Sequence, residues 1–458
     1  MNPFGWFQII RIGLLQAALG AMVVLTTSTL NRVMVVELAL PALLPGFLVA
    51  LHYLVQIARP RMGFGSDAGG RRTPWIVGGM AVLAVGAILA SIATAWMGSS
   101  RASGIALAIF AFCLIGLGVS ASGTSLLVML AKRVPAGRRA AAATIVWMMM
   151  IFGFAITSLL AGKLLDPYSP SRLVLVTTGV CCIAFMIAML AIYRLEGSEI
   201  EHAEAVQVRE LAHPAFREAL AQVWSEPAAR QFTIFVFISM LAYSAQDLIL
   251  EPFAGSVFGF TPGESTSLSG VQHGGVLAGM ILVAIAGLLG ARWSSKPVLR
   301  HVGSLRGWTV GGCIASALAL AGLSAAGLAG PGWPLKATVF ALGVANGAFS
   351  IGAISSMMRL AHQGRHGRAG VRMGLWGAAQ AVAFGLGGLM GTAASDIARW
   401  LIASPGAAYA SVFGFEAALF VLSAVLAWRI GSPITRVAPA IESKPISFSF
   451  ANNASQSR

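Results

Sequence analysis

Runs of roughly twenty apolar residues recur from one end of this chain to the other, which is the length of helix that a lipid bilayer requires. Only 10% of the 458 residues are charged, too few to cover a water-soluble protein of this size with a polar surface. A membrane β-barrel would instead show alternating segments of about ten residues, which this sequence lacks. The sequence therefore predicts an all-α polytopic membrane protein.

The basic residues support a count of twelve transmembrane helices. If the N-terminus is cytoplasmic, only six of the 31 Lys and Arg residues fall on the non-cytoplasmic side, and cytoplasmic loops are the ones enriched in Lys and Arg. This also explains the net charge of +15 without nucleic acid, so we expect both termini in the cytoplasm and no nucleic-acid partner. The predicted helices are 9–31, 40–58, 75–97, 103–129, 140–162, 172–193, 231–249, 270–291, 308–328, 335–360, 373–395 and 406–428.

The spacing of residues indicates two related halves. Trp147 and Trp376 are 229 residues apart, and so are Gly162 and Gly391, as in a chain built from two parallel repeats. The longest break combines seven glutamates with apolar residues at helical spacing, which predicts an amphipathic surface helix. We therefore predict an N-terminal six-helix half (1–193), a cytoplasmic linker with an amphipathic helix (194–230), a C-terminal six-helix half (231–430) and a disordered cytoplasmic tail (431–458).

The break after the second helix reads GFGSDAGGRR and fits the pattern G-x-x-x-D-x-x-G-R-R. This resembles the signature loop of the major facilitator superfamily, which also lies between the second and third helices. The resemblance implies a major facilitator fold of two six-helix halves, in which this loop acts as a conformational latch. Ala68 stands where the family usually has a basic residue. The latch residues are Gly63, Asp67, Gly70, Arg71 and Arg72.

Two longer stretches are more specific. TSTLNRVMVVELALPALLPGFLVALHYLVQIARPRMGFGSD (27–67) and QDLILEPFAGSVFG (246–259) resemble the PucC/LhaA family, the bacteriochlorophyll-delivery branch of the superfamily. The resemblance implies an assembly factor for light-harvesting complexes in the inner (intracytoplasmic) membrane of a phototrophic bacterium, without enzymatic activity. It implies bacteriochlorophyll a as cofactor, with carotenoid as a further candidate. The implied partners are antenna polypeptides, pigment-synthesis enzymes, the reaction centre–antenna complex and membrane lipids.

Polar residues inside membrane helices are costly and usually face an interior or a partner. We therefore expect a set of such residues to line a pigment site between the halves or in a lateral groove. Because a bacteriochlorophyll magnesium takes an axial ligand, and imidazole is a common one, the two histidines come first. Each histidine can equally serve helix packing, and each acid interhelical bonding. The candidates are His52, His273, Asn31, Arg32, Glu37, Asp247, Glu251 and Glu416.

The acids have predicted positions of their own. NRVMVVE and QDLILE end the predicted first and seventh helices, which would place an acid of each at the non-cytoplasmic end. Arg32 and Glu37 are about one and a half α-helical turns apart, so Arg32 could instead reach Asp247 or Glu251. Glu416 lies near the middle of the last helix, as a protonated hydrogen-bonding acid or a proton relay.

Two other functions fit the sequence. A secondary transporter of a small solute would couple flux to protons through these acids, and a structural subunit would hold a fixed place in a photosynthetic complex. The sequence shows no nucleotide-binding motif, no catalytic constellation and no zinc-ligand spacing, so we expect no metal centre and no enzyme. It does not distinguish the core from the peripheral antenna, nor does it give the oligomeric state.

Overall fold

The computed structural model describes residues 4–56, 72–135, 138–196, 221, 224–292, 304–363 and 369–430. The described residues form twelve long helices, which confirms the predicted count. Eleven are long and apolar enough to span a membrane, and α2 has 13 residues within the described part. The helices are α1 Trp6–Glu37, α2 Leu43–Val55, α3 Thr73–Trp96, α4 Arg101–Arg133, α5 Arg139–Leu165, α6 Pro170–Ile192, α7 Pro227–Phe258, α8 Pro262–Arg292, α9 Leu305–Ala329, α10 Leu335–Gln363, α11 Ala369–Leu401 and α12 Pro405–Ile430.

The helices pack as two equivalent sets of six. α1 packs against α5 and α6, just as α7 packs against α11 and α12. Likewise α3 packs against α4 and α6, as α9 does against α10 and α12. The sets meet through α5 with α8 and α2 with α11, and each has its own apolar core. This arrangement confirms the predicted fold of two six-helix halves; the exact residue limits of the halves stay a prediction.

The connection between α7 and α8 defines one end of the bundle, here called the outer end. α1, α5, α7 and α11 finish there, and α2, α6, α8 and α12 begin there. The charge pattern predicts that this end is non-cytoplasmic. Gly259 makes the tight turn possible: its φ of 71° is left-handed, and its N–H donates to the carbonyl of Ala254 to close the last turn of α7.

The predicted limits of α7 and α8 are wrong. The prediction ended the seventh helix at 249 and began the eighth at 270, whereas α7 continues to Phe258 and α8 begins at Pro262. Pro252 is accommodated inside α7, and the serines and threonines at the start of α8 bond to their own helix or to neighbouring helices. Ser265, for example, donates to the carbonyl of Thr261 over 2.9 Å. QDLILE is therefore not a helix end, and Asp247 lies deep in the bundle.

Three predictions fall partly or wholly outside the described residues. Gly63, Asp67, Gly70 and Arg71 lie in 57–71, the predicted tail is 431–458, and most of the predicted linker helix lies in 197–220. The last latch residue, Arg72, is described and buried. Its backbone N–H donates to a carboxylate oxygen of Glu196 over 2.5 Å, and the N–H of Thr73 donates to the other oxygen over 2.7 Å. Glu196, just after α6, therefore caps the first turn of α3.

Candidate functional site

Three of the candidate residues lie at one level of the bundle. Asp247, His273 and Glu416 are each eleven residues from the outer end of their helix. At 1.5 Å per residue this is about 16 Å along each helix from the outer end. Asp247, which the sequence placed at a helix end, therefore lies well inside its helix.

A buried carboxyl group joins three helices between this level and the outer end. Glu251 of α7 is 1% exposed, and its Oε1 accepts hydrogen bonds from the hydroxyls of Ser28 in α1 and Ser269 in α8. The two hydroxyl oxygens are themselves 3.0 Å apart. Because α1 belongs to one half and α7 and α8 to the other, this cluster connects the two halves.

Two further polar contacts extend this interface. Thr29 of α1 and Thr266 of α8 share a hydroxyl hydrogen bond of 3.0 Å. Asn31 donates from Nδ2 to the backbone carbonyl of Leu248, 2.5 Å away in α7. All of these side chains are buried, so the outer half of the α1–α7–α8 interface is held by specific hydrogen bonds rather than by apolar packing alone.

Arg32 pairs with Glu37, so the predicted alternative, a reach to Asp247 or Glu251, is wrong. Its Nη1 donates to the carboxylate of Glu37, and its Nη2 donates to the carbonyl of Phe260 over 2.6 Å. Five residues of α-helix would place the two side chains roughly 140° apart. Residues Val33–Glu37 are instead π-helical, with wider turns that bring positions five apart onto one face.

A cleft of about 630 Å³ opens beside this ion pair at the outer end. Arg32 is 2% exposed, whereas Glu37 is 33% exposed and faces the opening. Burial raises the pKa of the Tyr168 phenol in the cleft; the Glu37 carboxylate raises it further and Arg32 lowers it. Tyr168 is thus a neutral hydroxyl near pH 7. The cleft is lined by Arg32, Val36, Glu37, Asp166, Pro167, Tyr168, Gly255, Gly259, Phe260, Thr261 and Pro262.

The deeper acid, Asp247, bonds within the C-terminal half. Its Oδ1 accepts a hydrogen bond from Nε2 of Gln272 in α8 over 3.1 Å. Gln272, which bonds to Asp247, directly precedes His273 on α8. Asp247 and His273 therefore lie at a similar distance from the outer end of α7 and α8.

The ring of His273 is held in a defined orientation. Its Nδ1 lies 2.8 Å from the carbonyl oxygen of Ser269, so Nδ1 carries the proton and donates. The edge of Phe154 in α5 contacts the ring, with centroids 5.1 Å apart. Among the described residues no hydrogen bond engages Nε2, and the neighbouring Gly274 has open space where a side chain would be. His273 therefore presents a lone pair on an oriented ring.

His52 is in a different state. Its Nε2 lies 2.9 Å from the amide Nε2 of Gln56, one turn further along α2, and its ring is tilted against that of Tyr53. Since the amide of Gln56 already engages Nε2, this nitrogen is less free to bind another group. The two histidines, equivalent in the sequence analysis, are not equivalent in the structure.

Glu416 is separate from the α1–α7–α8 interface. It lies on α12, which packs against α7, α9 and α11, and it is 1% exposed. Neither carboxyl oxygen has a hydrogen-bond partner among the described residues. The structure therefore gathers Asn31, Arg32, Glu37 and Glu251 at one interface, places Asp247 and His273 beside it, and leaves His52 and Glu416 elsewhere.

The partners of these groups were missing from the predicted site. A signal for them was present in the sequence: Ser269 and Gln272 are three residues apart and lie close together on the surface of α8. In the described part of the chain, no group of three or more His, Cys, Asp and Glu side chains is arranged to hold a metal ion. Hydroxyl groups bond to the carboxyl of Glu251, and an amide bonds to the carboxyl of Asp247.

The model of the family described as "PUCC protein" matches residues 29–433 of this chain. The chain belongs to the PUCC family. A relative from Rhodobacter capsulatus named "Bacteriochlorophyll synthase 44.5 kDa chain" is 52% identical over 92% of this chain and 95% of its own length. "Protein PucC" from Cereibacter sphaeroides is 28% identical over 92% of this chain and 91% of its own length.

Solved structures share the fold of this PUCC-family chain. The crystal structure of peptide transporter POT in complex with sulfate aligns with a TM-score of 0.63, covering 94% of this chain and 97% of that chain at 12% identity. An identity this low shows the fold alone. The expected major facilitator fold is therefore confirmed.

The prediction that the chain has no enzymatic activity is wrong. The relative that shares 52% of its residues is named as a chain of bacteriochlorophyll synthase, which is an enzyme. The prediction rested partly on the lack of the residue spacings that are typical of soluble active sites, and that lack does not exclude an enzymatic role.

Proposed function

We propose that this chain binds bacteriochlorophyll in the inner (intracytoplasmic) membrane of a phototrophic bacterium and delivers it to light-harvesting antenna complexes during their assembly. Membership of the PUCC family supports this proposal, as does the name of the relative called a bacteriochlorophyll synthase chain. The name of that relative also supports a position next to pigment synthesis, so that the chain receives pigment from a synthesising partner. Both termini face the cytoplasm, as the basic loops indicate.

The oriented imidazole of His273 is the observation that carries the proposal. Metal-binding histidines commonly donate one ring N–H to a backbone carbonyl, which fixes the tautomer and directs the other nitrogen at the metal. His273 has this arrangement, with Nδ1 bonded to Ser269 and Nε2 without a hydrogen bond. When bound, the pigment would supply the magnesium ion, and Nε2 of His273 would be the nitrogen that holds it.

Two features near His273 bear on pigment binding. Phe154 places an aromatic ring against the imidazole, and the adjacent residue on α8, Gly274, has no atom within 4 Å of the position of a side chain. Gln272 and Asp247 form an amide–carboxyl hydrogen bond between α8 and α7 at a similar distance from the outer end. An apolar site with a few placed polar groups is typical of cofactor binding.

The test is an absorption spectrum of the protein purified in mild detergent from a pigment-making phototroph whose antenna genes are deleted. We expect bacteriochlorophyll to copurify with the wild type, to be lost or spectrally shifted in His273→Ala, and to be retained in the matched control His52→Ala. A folded wild-type protein without pigment, or pigment unaffected by His273→Ala, would contradict the proposal.

The named alternatives have less support from the site. The likeness to peptide transporters concerns the fold alone, so it does not favour transport of a solute. A fixed structural place in a photosynthetic complex is compatible with pigment binding, and it would appear as stoichiometric retention of the chain in the mature complex. The antenna-deleted strain separates these cases, because pigment binding must then occur without the complex.

A further inference from the structure

The cleft at the outer end lies between the two halves, and the proposed pigment site does not use it. Its walls come from the end of α1 and the α5–α6 connection in one half, and from the end of α7 and the start of α8 in the other. His273, eleven residues from the start of α8, is not part of the lining. The volume of about 630 Å³ falls within the range of small-molecule sites, about 300–1,000 Å³.

The ion pair beside this cleft is exposed on one side only. The side chain of Arg32 is 2% exposed, whereas that of Glu37 is 33% exposed. Gly255 of α7 covers the guanidinium, because a methyl group at this glycine would lie 3.0 Å from Nη2 and 3.2 Å from Nε. Arg32 also donates to Glu37 and to the carbonyl of Phe260. A molecule that enters the cleft therefore meets the negative member of the pair and not the positive one.

The other polar groups of the cleft are mainly acceptors. Asp166 accepts a hydrogen bond from the hydroxyl of Thr261 over 2.6 Å, so that hydroxyl has already used its proton. Within the described part of the chain, Oε2 of Glu37 and the hydroxyl of Tyr168 make no hydrogen bond. Two acids and one arginine line the cleft, which gives the lining a net negative charge. These features favour a ligand that carries N–H donors and one positive charge.

The rest of the lining is largely apolar and includes Val36, Pro167 and Pro262. A site with apolar walls and a few placed polar groups is typical of small organic ligands. We propose that this cleft binds a small organic amine, with its ammonium group on the carboxylate of Glu37 and its apolar body against these walls. The ammonium group can belong to a dissolved amine or to the headgroup of an ethanolamine phospholipid. This site is independent of the proposed pigment function.

The experiment measures the binding of benzylamine, which is protonated at pH 7, to the purified full-length protein in mild detergent by isothermal titration calorimetry. Benzyl alcohol is the uncharged comparison of similar size. We expect benzylamine to bind at least tenfold more tightly, because only an ammonium group makes a charge-assisted hydrogen bond with the carboxylate of Glu37. No binding of benzylamine, or equal binding of the two compounds, would overturn the proposal.

Three variants locate the binding. Glu37→Gln removes the charge and keeps an oxygen that can accept from Arg32, so it should weaken benzylamine binding at least tenfold. Val36→Phe fills the cleft and leaves both charges in place, so it should also weaken binding, whatever the stability of Glu37→Gln. Glu264→Gln is the matched control, because Glu264 accepts from the N–H of Thr261 over 3.0 Å but is not part of the lining.

Benzylamine should bind to Glu264→Gln as it does to the wild type. Wild-type binding in both Glu37→Gln and Val36→Phe would overturn the proposal, as would an equal loss in Glu264→Gln. Addition of ethanolamine phospholipid to the detergent micelles distinguishes the two sources of the amine. Competition with benzylamine would identify a lipid headgroup as the ligand, and a lack of competition would identify a dissolved amine.

Discussion

Asp166, directly after α5, accepts a hydrogen bond from the hydroxyl of Thr261, 2.6 Å away in the turn before α8. The same carboxylate accepts from the N–H of Gly263 over 3.2 Å. Asp396, near the end of α11, repeats this relationship in the other half by accepting from the N–H groups of Ala42 and Leu43 at the start of α2, over 3.0 and 2.8 Å. An aspartate therefore ties the halves together at the outer end both where α5 meets α8 and where α2 meets α11.

The capping role of Asp396 predicts that its substitution lowers the free energy of unfolding. Asp396→Ala should cost about 0.5–2 kcal/mol, the usual cost of losing a carboxylate that caps a helix N-terminus. Asp396→Asn keeps one acceptor oxygen and should lose less. Thermal unfolding in detergent should give the highest melting temperature for the wild type, a lower one for Asp396→Asn and the lowest for Asp396→Ala. An unchanged melting temperature in Asp396→Ala would contradict the capping role.

Removing the two hydroxyl groups that bond to Glu251 should change the free energy of unfolding in a non-additive way. Ser28→Ala or Ser269→Ala alone leaves the carboxyl one donor, so each should cost about 1 kcal/mol. Removing both leaves a buried carboxyl without a donor, so the double variant should cost more than the sum. A double-mutant cycle measures this coupling. The pair Thr29 and Thr266, which involves no carboxyl, should give the smaller coupling energy, and equal values would count against the role of Glu251.

The ion pair between Arg32 and Glu37, formed across the π-helical turn of α1, predicts a loss of stability when Glu37 is removed. Glu37→Ala leaves a buried guanidinium without its carboxylate, which should cost up to 3–5 kcal/mol and less if solvent from the cleft reaches the guanidinium. Adding Arg32→Met removes the uncompensated charge and should recover most of the stability. Thermal unfolding of the single and double variants gives the comparison. A double variant less stable than Glu37→Ala would contradict the account of this ion pair.

Glycines between α8 and α10 predict a strong steric effect. A methyl group at Gly347 would lie 2.0 Å from the carbonyl oxygen of Val276, so Gly347→Ala must push the two helices apart and should destabilise the protein. Gly311 in α9 is the matched control, because a methyl group there meets no atom within 4 Å. Gly311→Ala should be neutral or stabilising by up to about 1 kcal/mol. Equal melting temperatures for the two variants would contradict the packing described for α8 and α10.

The sequence predicted most of the fold because its helices are apolar and its loops are basic, two signals that depend on the bilayer rather than on tertiary contacts. It failed between 250 and 269, where Glu251, Pro252 and a run of serines and threonines resemble a loop. These polar side chains are compatible with helix because other helices supply their partners. Ser28 and Ser269 flank Glu251 only in three dimensions, so spacing along one helix could not reveal them.

The candidate site was predictable as a set of residue types but not as a set of pairs. Arg32 and Glu37 appeared too far apart because the prediction assumed α-helical geometry, whereas a π-helical turn joins them. Residue type alone does not distinguish His52 from His273. What separates them is the partner of one ring nitrogen, Gln56 for His52 and the carbonyl of Ser269 for His273. Such partners depend on local packing, which the apolar pattern does not specify.

The most direct measurement is a solid-state ¹⁵N NMR spectrum of protein labelled at the histidine side chains, recorded with and without bound bacteriochlorophyll. The account predicts that one Nε2 resonance shifts on pigment binding and that this resonance is absent from His273→Ala but present in His52→Ala. A pigment-bearing sample in which no histidine resonance shifts, or in which the shifted resonance belongs to His52, would contradict the claim that His273 is the axial ligand.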